Sequence, residues 1–140
     1  HLELLYRRLA SALGNEKATA PIRKTVNKAI VDRMNGEVKI EGDFIMLASF
    51  QNVIVRRSPA GAQDRNIEYI CKLELVEAMR KVLEGTFGME RIALIVETAR
   101  IFGFERTGPN IKRAMNEAID YLVDQHIIRM CDEKIQLVEE

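Results

Sequence analysis

The stretch from Gly103 to Leu137, GFERTGPNIKRAMNEAIDYLVDQHIIRMCDEKIQL, constrains this chain more than any other. A glycine ends one helix, and Thr107-Gly108-Pro109 opens a second. Threonine accepts from the free N–H groups of a first helical turn, and proline is tolerated there. Ile111, Met115, Ile119 and Leu122 recur at helical spacing, so they form a stripe that must be buried. Asn110, Lys112, Arg113, Asn116 and Glu117 are left facing outward. Two short apolar runs around Cys131-Asp132-Glu133 then close the stretch as a hairpin. Helix, turn, helix and hairpin in that order are the plan of a winged helix-turn-helix. In that plan the outward, N-terminal part of the second helix enters a DNA major groove.

The first third of the chain repeats the plan. Leu2, Leu5, Leu9 and Leu13 mark an amphipathic helix that Gly14 ends. Thr19-Ala20-Pro21 starts another, with its stripe at Ile22, Val26, Ile30 or Ala29, and Arg33-Met34 at its end. Val38–Ile40 and Phe44–Leu47 flank the tight turn Glu41-Gly42-Asp43. Leu13-Gly14 falls on Phe102-Gly103, Ile22 on Ile111, Asn27 on Asn116 and Ile30 on Ile119, all at 111 − 22 = 89 residues. One added residue then puts Val38 on Ile128 and Ile45 on Ile135, while the turns need their own slip, because Thr19-Ala20-Pro21 and Thr107-Gly108-Pro109 align only at 107 − 19 = 88. Self-similarity of this kind reads as an internal duplication.

Between the two lies Val53-Ile54-Val55, a candidate extra strand, and then Arg56-Arg57-Ser58-Pro59-Ala60-Gly61, where proline and small residues mark a break. The expected domains are therefore residues 1–58 and 59–140. Leu73 to Leu83 and Met89 to Phe102 both read as helices, which gives the second unit three helices and a hairpin against two helices and a hairpin in the first. The first unit's missing helix is expected before His1. The chain is then expected to be a piece of a longer one, with an apolar surface left open or covered by something else. The fold class is mainly α with small β-hairpins, a tandem winged helix-turn-helix whose first unit lacks its first helix.

An apolar content of 47% supports a core, and 21 basic residues against 21 acidic ones leave no overall basic field. Up to Pro59 the balance is 10 − 6 = +4, and beyond it −4, so a polyanion should meet the first unit more strongly. Cys71 and Cys131 stand apart from any metal-ligand spacing, which points to a reducing, cytoplasmic setting with no metal and no cofactor. No run is long and apolar enough for a membrane span, and no signal peptide is visible. There is no phosphate-cradling loop, nucleophile elbow or zinc-protease motif, so this piece is read as non-enzymatic.

Candidate nucleic-acid contacts follow from the plan. Arg23, Lys24, Asn27 and Lys28 on the first unit's second helix carry charge for phosphates and amides for base edges. The alternative is a solvated helix face. Lys112, Arg113 and Asn116 are their counterparts, with Glu117, Asp120 and Asp124 following to repel phosphates. Lys39 and Arg129 take outward strand positions where wings touch the backbone of DNA. Arg56 and Arg57 could cross a groove or meet an acidic partner. His126, at a helix end, reads as a C-terminal cap, and Met34, Met79 and Met115 read as core filling.

The pieces HLELLYRRLASALG, GDFIML followed by VIVRRSP, IEYICKLELVEAMRKVL and RIALIVETARIFGFERTGPNIKRAMNEAID together resemble the C-terminal domain of unknown function of large bacterial and archaeal superfamily I helicase-like proteins. The resemblance covers nearly the whole chain. Phe104 to Ile111 is its most specific part, and there Pro109-Asn110 replace small-polar and basic residues. It implies an ATPase motor upstream, and often a nuclease-like domain related to very-short-patch-repair endonucleases. The functional expectation is a non-catalytic accessory domain that binds duplex or junction DNA. The alternative is a protein-interaction or homodimerisation module of the same protein.

Overall fold

The computed structural model describes residues 1–49, 52–58 and 66–138. Over the described residues the structure is mixed α/β, with five α-helices and two small antiparallel sheets, and the chain divides into two compact units, His1–Asn52 and Val53–Glu140.

The first unit holds α1 (Leu2–Ala12), α2 (Ala20–Arg33), β1 (Val38–Glu41) and β2 (Phe44–Leu47). At the start of α1 the His1 Nδ1 accepts from the Glu3 N–H at 3.1 Å, satisfying one of the first turn's orphan donors. The Leu2 N–H donates to Asp43 O at 2.8 Å, and the His1 and Phe44 rings meet edge to face at 5.0 Å, so the start of α1 is tied to the hairpin turn. Strands β1 and β2 pair from Val38 with Leu47 to Glu41 with Phe44. Its buried apolar residues are Tyr6, Ala10 and Ile30.

The second unit follows a single 3-10 turn (Ile67–Tyr69) with α3 (Lys72–Glu84), β3 (Met89–Glu90), α4 (Arg91–Ile101), α5 (Pro109–Asp124), β4 (Ile128–Cys131) and β5 (Lys134–Leu137). The sheet order is β3-β5-β4, with Met89 opposite Ile135 and Ile135 opposite Met130. Helix α3 packs on α4, α5 and β5. The core between them includes Met79, Leu83, Leu94, Phe102, Met115, Ile119, Leu122 and Ile135, all essentially inaccessible to water. Within it the Thr98 hydroxyl has no hydrogen-bond partner among the described residues. An orphaned buried hydroxyl costs roughly 1–3 kcal/mol, so Thr98→Val is expected to stabilise this unit by about 1 kcal/mol in denaturant titration.

Several local expectations need correction. Thr19 caps α2 by position but makes no side-chain bond, and the residue before α5 is Gly108, not Thr107, so neither threonine supplies the expected hydroxyl cap. Met89 and Glu90 belong to a strand rather than to α4, because their pairing with β5 competes with helix formation. Val53 to Val55 form no strand, since no strand among the described residues lies beside them to complete a ladder. The division falls after Asn52 rather than after Ser58. Val55 packs against the second core, the Arg56 guanidinium pairs with Glu74, and the Ser58 N–H donates to Ile101 O at 3.1 Å, so this segment belongs to the second unit. Pro59-Ala60-Gly61, the expected break, lies outside the described residues.

The elements of the two units stand in step. Helices α1 and α4 are both 11 residues long and start at 91 − 2 = 89 residues' separation, as do α2 and α5 at 109 − 20 = 89. The hairpin strands follow at 128 − 38 = 90 and 134 − 44 = 90. Gly14 and Gly103 take left-handed φ of 77° and 81° after α1 and α4, a conformation that costs glycine least. The next residue's N–H, Asn15 or Phe104, reaches back to Ala10 O or Ala99 O. The bond from Ala48 N–H to Glu37 O that closes the first hairpin has its like in Val138 N–H to Ile127 O.

Candidate nucleic-acid interface

The outward faces of α2 and α5 carry the candidate contacts, and their side chains divide into two groups. Arg23 is committed inside its own unit. Its guanidinium donates to Glu3 at 2.7 and 3.2 Å, to Ala18 O at 3.3 Å, and lies 4.9 Å from the Tyr6 ring centre. Hydrogen bonding from Arg23 holds the Glu3 carboxyl below its ordinary value, with Arg7 adding to the effect. A lowered folded-state pKa gives stability that is present above the unfolded value and is lost as pH falls through the folded one. Glu3→Gln is therefore expected to lose stability relative to wild type at pH 7, with the gap closing below the ordinary 4.5 in acid-denaturation curves.

Asn27, which is exposed, and Asn116, which is half-buried, are likewise bonded within their own units. The Tyr6 hydroxyl donates to Asn27 Oδ1 at 2.6 Å. Asn116 Oδ1 accepts from Arg91 Nε at 2.7 Å, while its Nδ2 donates to Lys112 O at 2.9 Å. Each amide locks its helix to the preceding one. Arg56 also leaves the candidate surface, because its Nε and Nη2 grip the buried Glu74 carboxylate at 3.1 and 2.6 Å.

The second group remains available. Lys24, Lys28, Lys39, Arg57 and Lys112 are exposed, and their side chains make no hydrogen bond or ion pair among the described residues. Arg113 makes one long hydrogen bond, to Asn110 Oδ1 at 3.3 Å. Lys39 on β1 and Arg129 on β4 are both exposed, standing opposite Met46 and Gln136. On α5, Asp120 is paired with Arg91 at 2.7 Å, which reduces its repulsion of an incoming anion.

Two further cations were not singled out from the sequence. Lys17 and Arg106 are exposed in the turns before α2 and α5, without a bonded partner among the described residues. Their signal is the 106 − 17 = 89 offset shared with the surrounding elements. Exposed cations thus occupy three matched positions: Lys17 and Arg106 in the turn, Lys24 and Arg113 early on the following helix, and Lys39 and Arg129 on the first hairpin strand.

The move of Arg56 and Arg57 into the second unit halves the charge asymmetry. Residues 1–52 carry 8 − 6 = +2 and residues 53–140 carry 13 − 15 = −2. Among the described residues no cluster of three His, Cys, Asp or Glu side chains could hold a metal ion, and no helix is long and apolar enough to cross a membrane. Cys71 and Cys131 are free thiols. Comparison of the chain with protein-family models, curated proteins and solved structures finds no match.

Proposed function

We propose that the chain is a duplicated winged-helix module that binds duplex or junction DNA, as a non-catalytic accessory part of a cytoplasmic helicase-like DNA-processing protein. The observation that carries this reading is the recurrence of an unpaired or weakly bonded exposed cation at three matched positions in both units. Turn, early recognition helix and wing strand are the places where such modules meet the phosphate backbone. Chance placement of solvated charges gives no reason for both units to keep the same three positions while varying most others.

The order helix, strand, helix, helix, strand, strand in the second unit supports the winged-helix reading, and so does the 89–90 residue step of the shared elements. With Asn27 and Asn116 spent on helix packing, few groups are left on these helices to read base edges. The proposed contact is therefore mainly with phosphates and with DNA shape, and carries little sequence preference. The test is fluorescence anisotropy with duplex, forked and single-stranded oligonucleotides across a salt series. Six phosphate contacts predict a log–log slope of about −5 and roughly a thousandfold loss of affinity between ~50 and ~200 mM salt. Binding that is flat in salt, or absent at low salt, rejects the proposal.

A further inference from the structure

The turn between α3 and β3, Gly85 to Gly88, holds one large apolar side chain in water. The Thr86 N–H and hydroxyl both donate to Leu83 O, at 3.0 and 3.1 Å, and the Gln136 side-chain amide on β5 donates to Phe87 O at 3.0 Å. Gly88 follows at φ 119°, and a Cβ there would lie 2.8 Å from Gln136 Cγ, so the turn runs close against β5 and only glycine fits its last position. Between these fixed points the Phe87 side chain is fully exposed. A pocket of about 300 Å³ opens here, lined by Phe87, Leu83 and Leu137 together with Arg129, Gln136 and Glu84. Ile135 is buried, so Gln136 takes the other face of the sheet, where it stands opposite Arg129. Arg129 has no bonded partner among the described residues, and neither has the Gln136 Oε1. The Glu84 carboxylate is already paired with Arg80.

We propose that this pocket takes one unpaired nucleotide at the point where a duplex opens, with its base stacked on the Phe87 ring and its phosphate held by Arg129. An aromatic ring in water offers a face to any base, and a neighbouring cation neutralises the phosphate that accompanies it. The free amide oxygen of Gln136 accepts from a base edge. The volume lies at the lower end of small-ligand sites, which suits one nucleotide and not a run of them. A base inside a duplex keeps both faces stacked on its neighbours and must leave the stack to meet a side chain in this way. The pocket therefore tells a fork or junction from a plain duplex. Its mixed lining, with a cation and an amide beside the ring, fits a nucleotide better than the apolar side chain of a protein partner. The first unit repeats the cation as Lys39 but carries Met46 where the second has Gln136, so only the second unit has this amide. The inference rests on the DNA-binding reading above and narrows its substrate to DNA with an unpaired base.

The test measures anisotropy at one salt concentration with three oligonucleotides: a blunt duplex, the same duplex carrying a fork, and that fork made abasic at the first unpaired position of each arm. The two forks have the same phosphates, so their affinity ratio reports the base alone. A ratio of about ten or more in favour of the intact fork is expected, as one stacked base supports. Phe87→Ala should bring the ratio to about one. Phe87→Trp should keep it, and because the chain contains no tryptophan, the new indole fluorescence should be quenched by the intact fork and not by the abasic one. Ile92→Ala, at an exposed apolar position on α4 outside the pocket, should leave the ratio unchanged. Phe87 and Ile92 are both exposed, so each variant should retain the wild-type circular dichroism spectrum.

A ratio near one for the wild type, or a ratio that survives Phe87→Ala, overturns the proposal. A concentration-dependent dimer that Phe87→Ala dissolves also overturns it, by giving the ring to a second copy of the chain. The blunt duplex decides the wider reading separately. If it is bound in a salt-dependent way while the fork ratio is one, only the pocket assignment falls. If neither duplex nor fork is bound, both fall.

Discussion

Arg56→Ala is expected to destabilise the second unit by about 3 kcal/mol, whereas Arg57→Ala next to it should change stability by less than about 0.5 kcal/mol. The contrast follows from what each guanidinium touches. Glu74 projects from α3 into the unit with its side chain 3% exposed, and Arg56 meets it with two guanidinium nitrogens and its own backbone N–H. Removing the cation leaves a carboxylate held out of water with only part of its hydrogen bonding, and breaking a buried pair in this way costs roughly 3–5 kcal/mol. The lower end applies because the Arg56 side chain is itself 53% exposed and water can partly replace it. For a unit of this size that loss lowers the melting transition by roughly 12–24 °C. The double variant Arg56→Ala with Glu74→Leu should recover most of the loss, because it removes the stranded charge together with its partner. A single-variant loss under about 1 kcal/mol would reduce the pair to an ordinary surface contact.

That ion pair also marks where sequence reading stops. The helices were legible because their apolar residues recur at 3.6-residue spacing, and Gly14 and Gly103 were legible as helix ends because left-handed backbone favours glycine. The corresponding turns at His126 (φ 57°), Asp132 (47°) and Glu133 (65°) carry no glycine, so nothing local announced their geometry. Strand β3 has two residues, too few for a period, and exists only because β5 lies beside it. A helical wheel separates an outward residue from a buried one. It cannot tell that outward Asn27 meets Tyr6, or that Asn116 meets Arg91, since these bonds span 21 and 25 residues. Nothing in the local sequence marks Glu74 for the same reason, as its partner lies 18 residues earlier in a segment without regular structure. Of the candidate surface, Lys24, Lys28, Lys39, Lys112 and Arg113 were legible as outward cations, whereas Lys17 and Arg106, and the engagement of Arg23 and Arg56 with Glu3 and Glu74, emerge only from the fold.

The matched cations set the largest expected effect on binding. Replacing Lys17, Lys24, Lys39, Arg106, Arg113 and Arg129 together by alanine should make the salt dependence shallower by about five log units per decade of salt, close to one per cation removed. At ~50 mM salt the affinity should fall at least about a thousandfold, to the level of a neutral protein surface. All six side chains are exposed and none forms an ion pair among the described residues, so the fold should survive and the loss can be read as lost contact. The two units should not contribute equally. Lys28 on α2 matches Glu117 on α5, so the face that bears Lys24 is more positive than the face that bears Arg113. Removing Lys17, Lys24 and Lys39 alone should therefore weaken binding more than removing Arg106, Arg113 and Arg129 alone. Arg23→Ala combined with Glu3→Ala supplies the internal control, since it deletes a bonded pair and leaves the net charge unchanged. It should lower stability while leaving the salt slope within about one unit of wild type. If the six-fold variant binds forked and duplex oligonucleotides as the wild type does, the cations are only solvated surface, and their matched spacing says nothing about DNA.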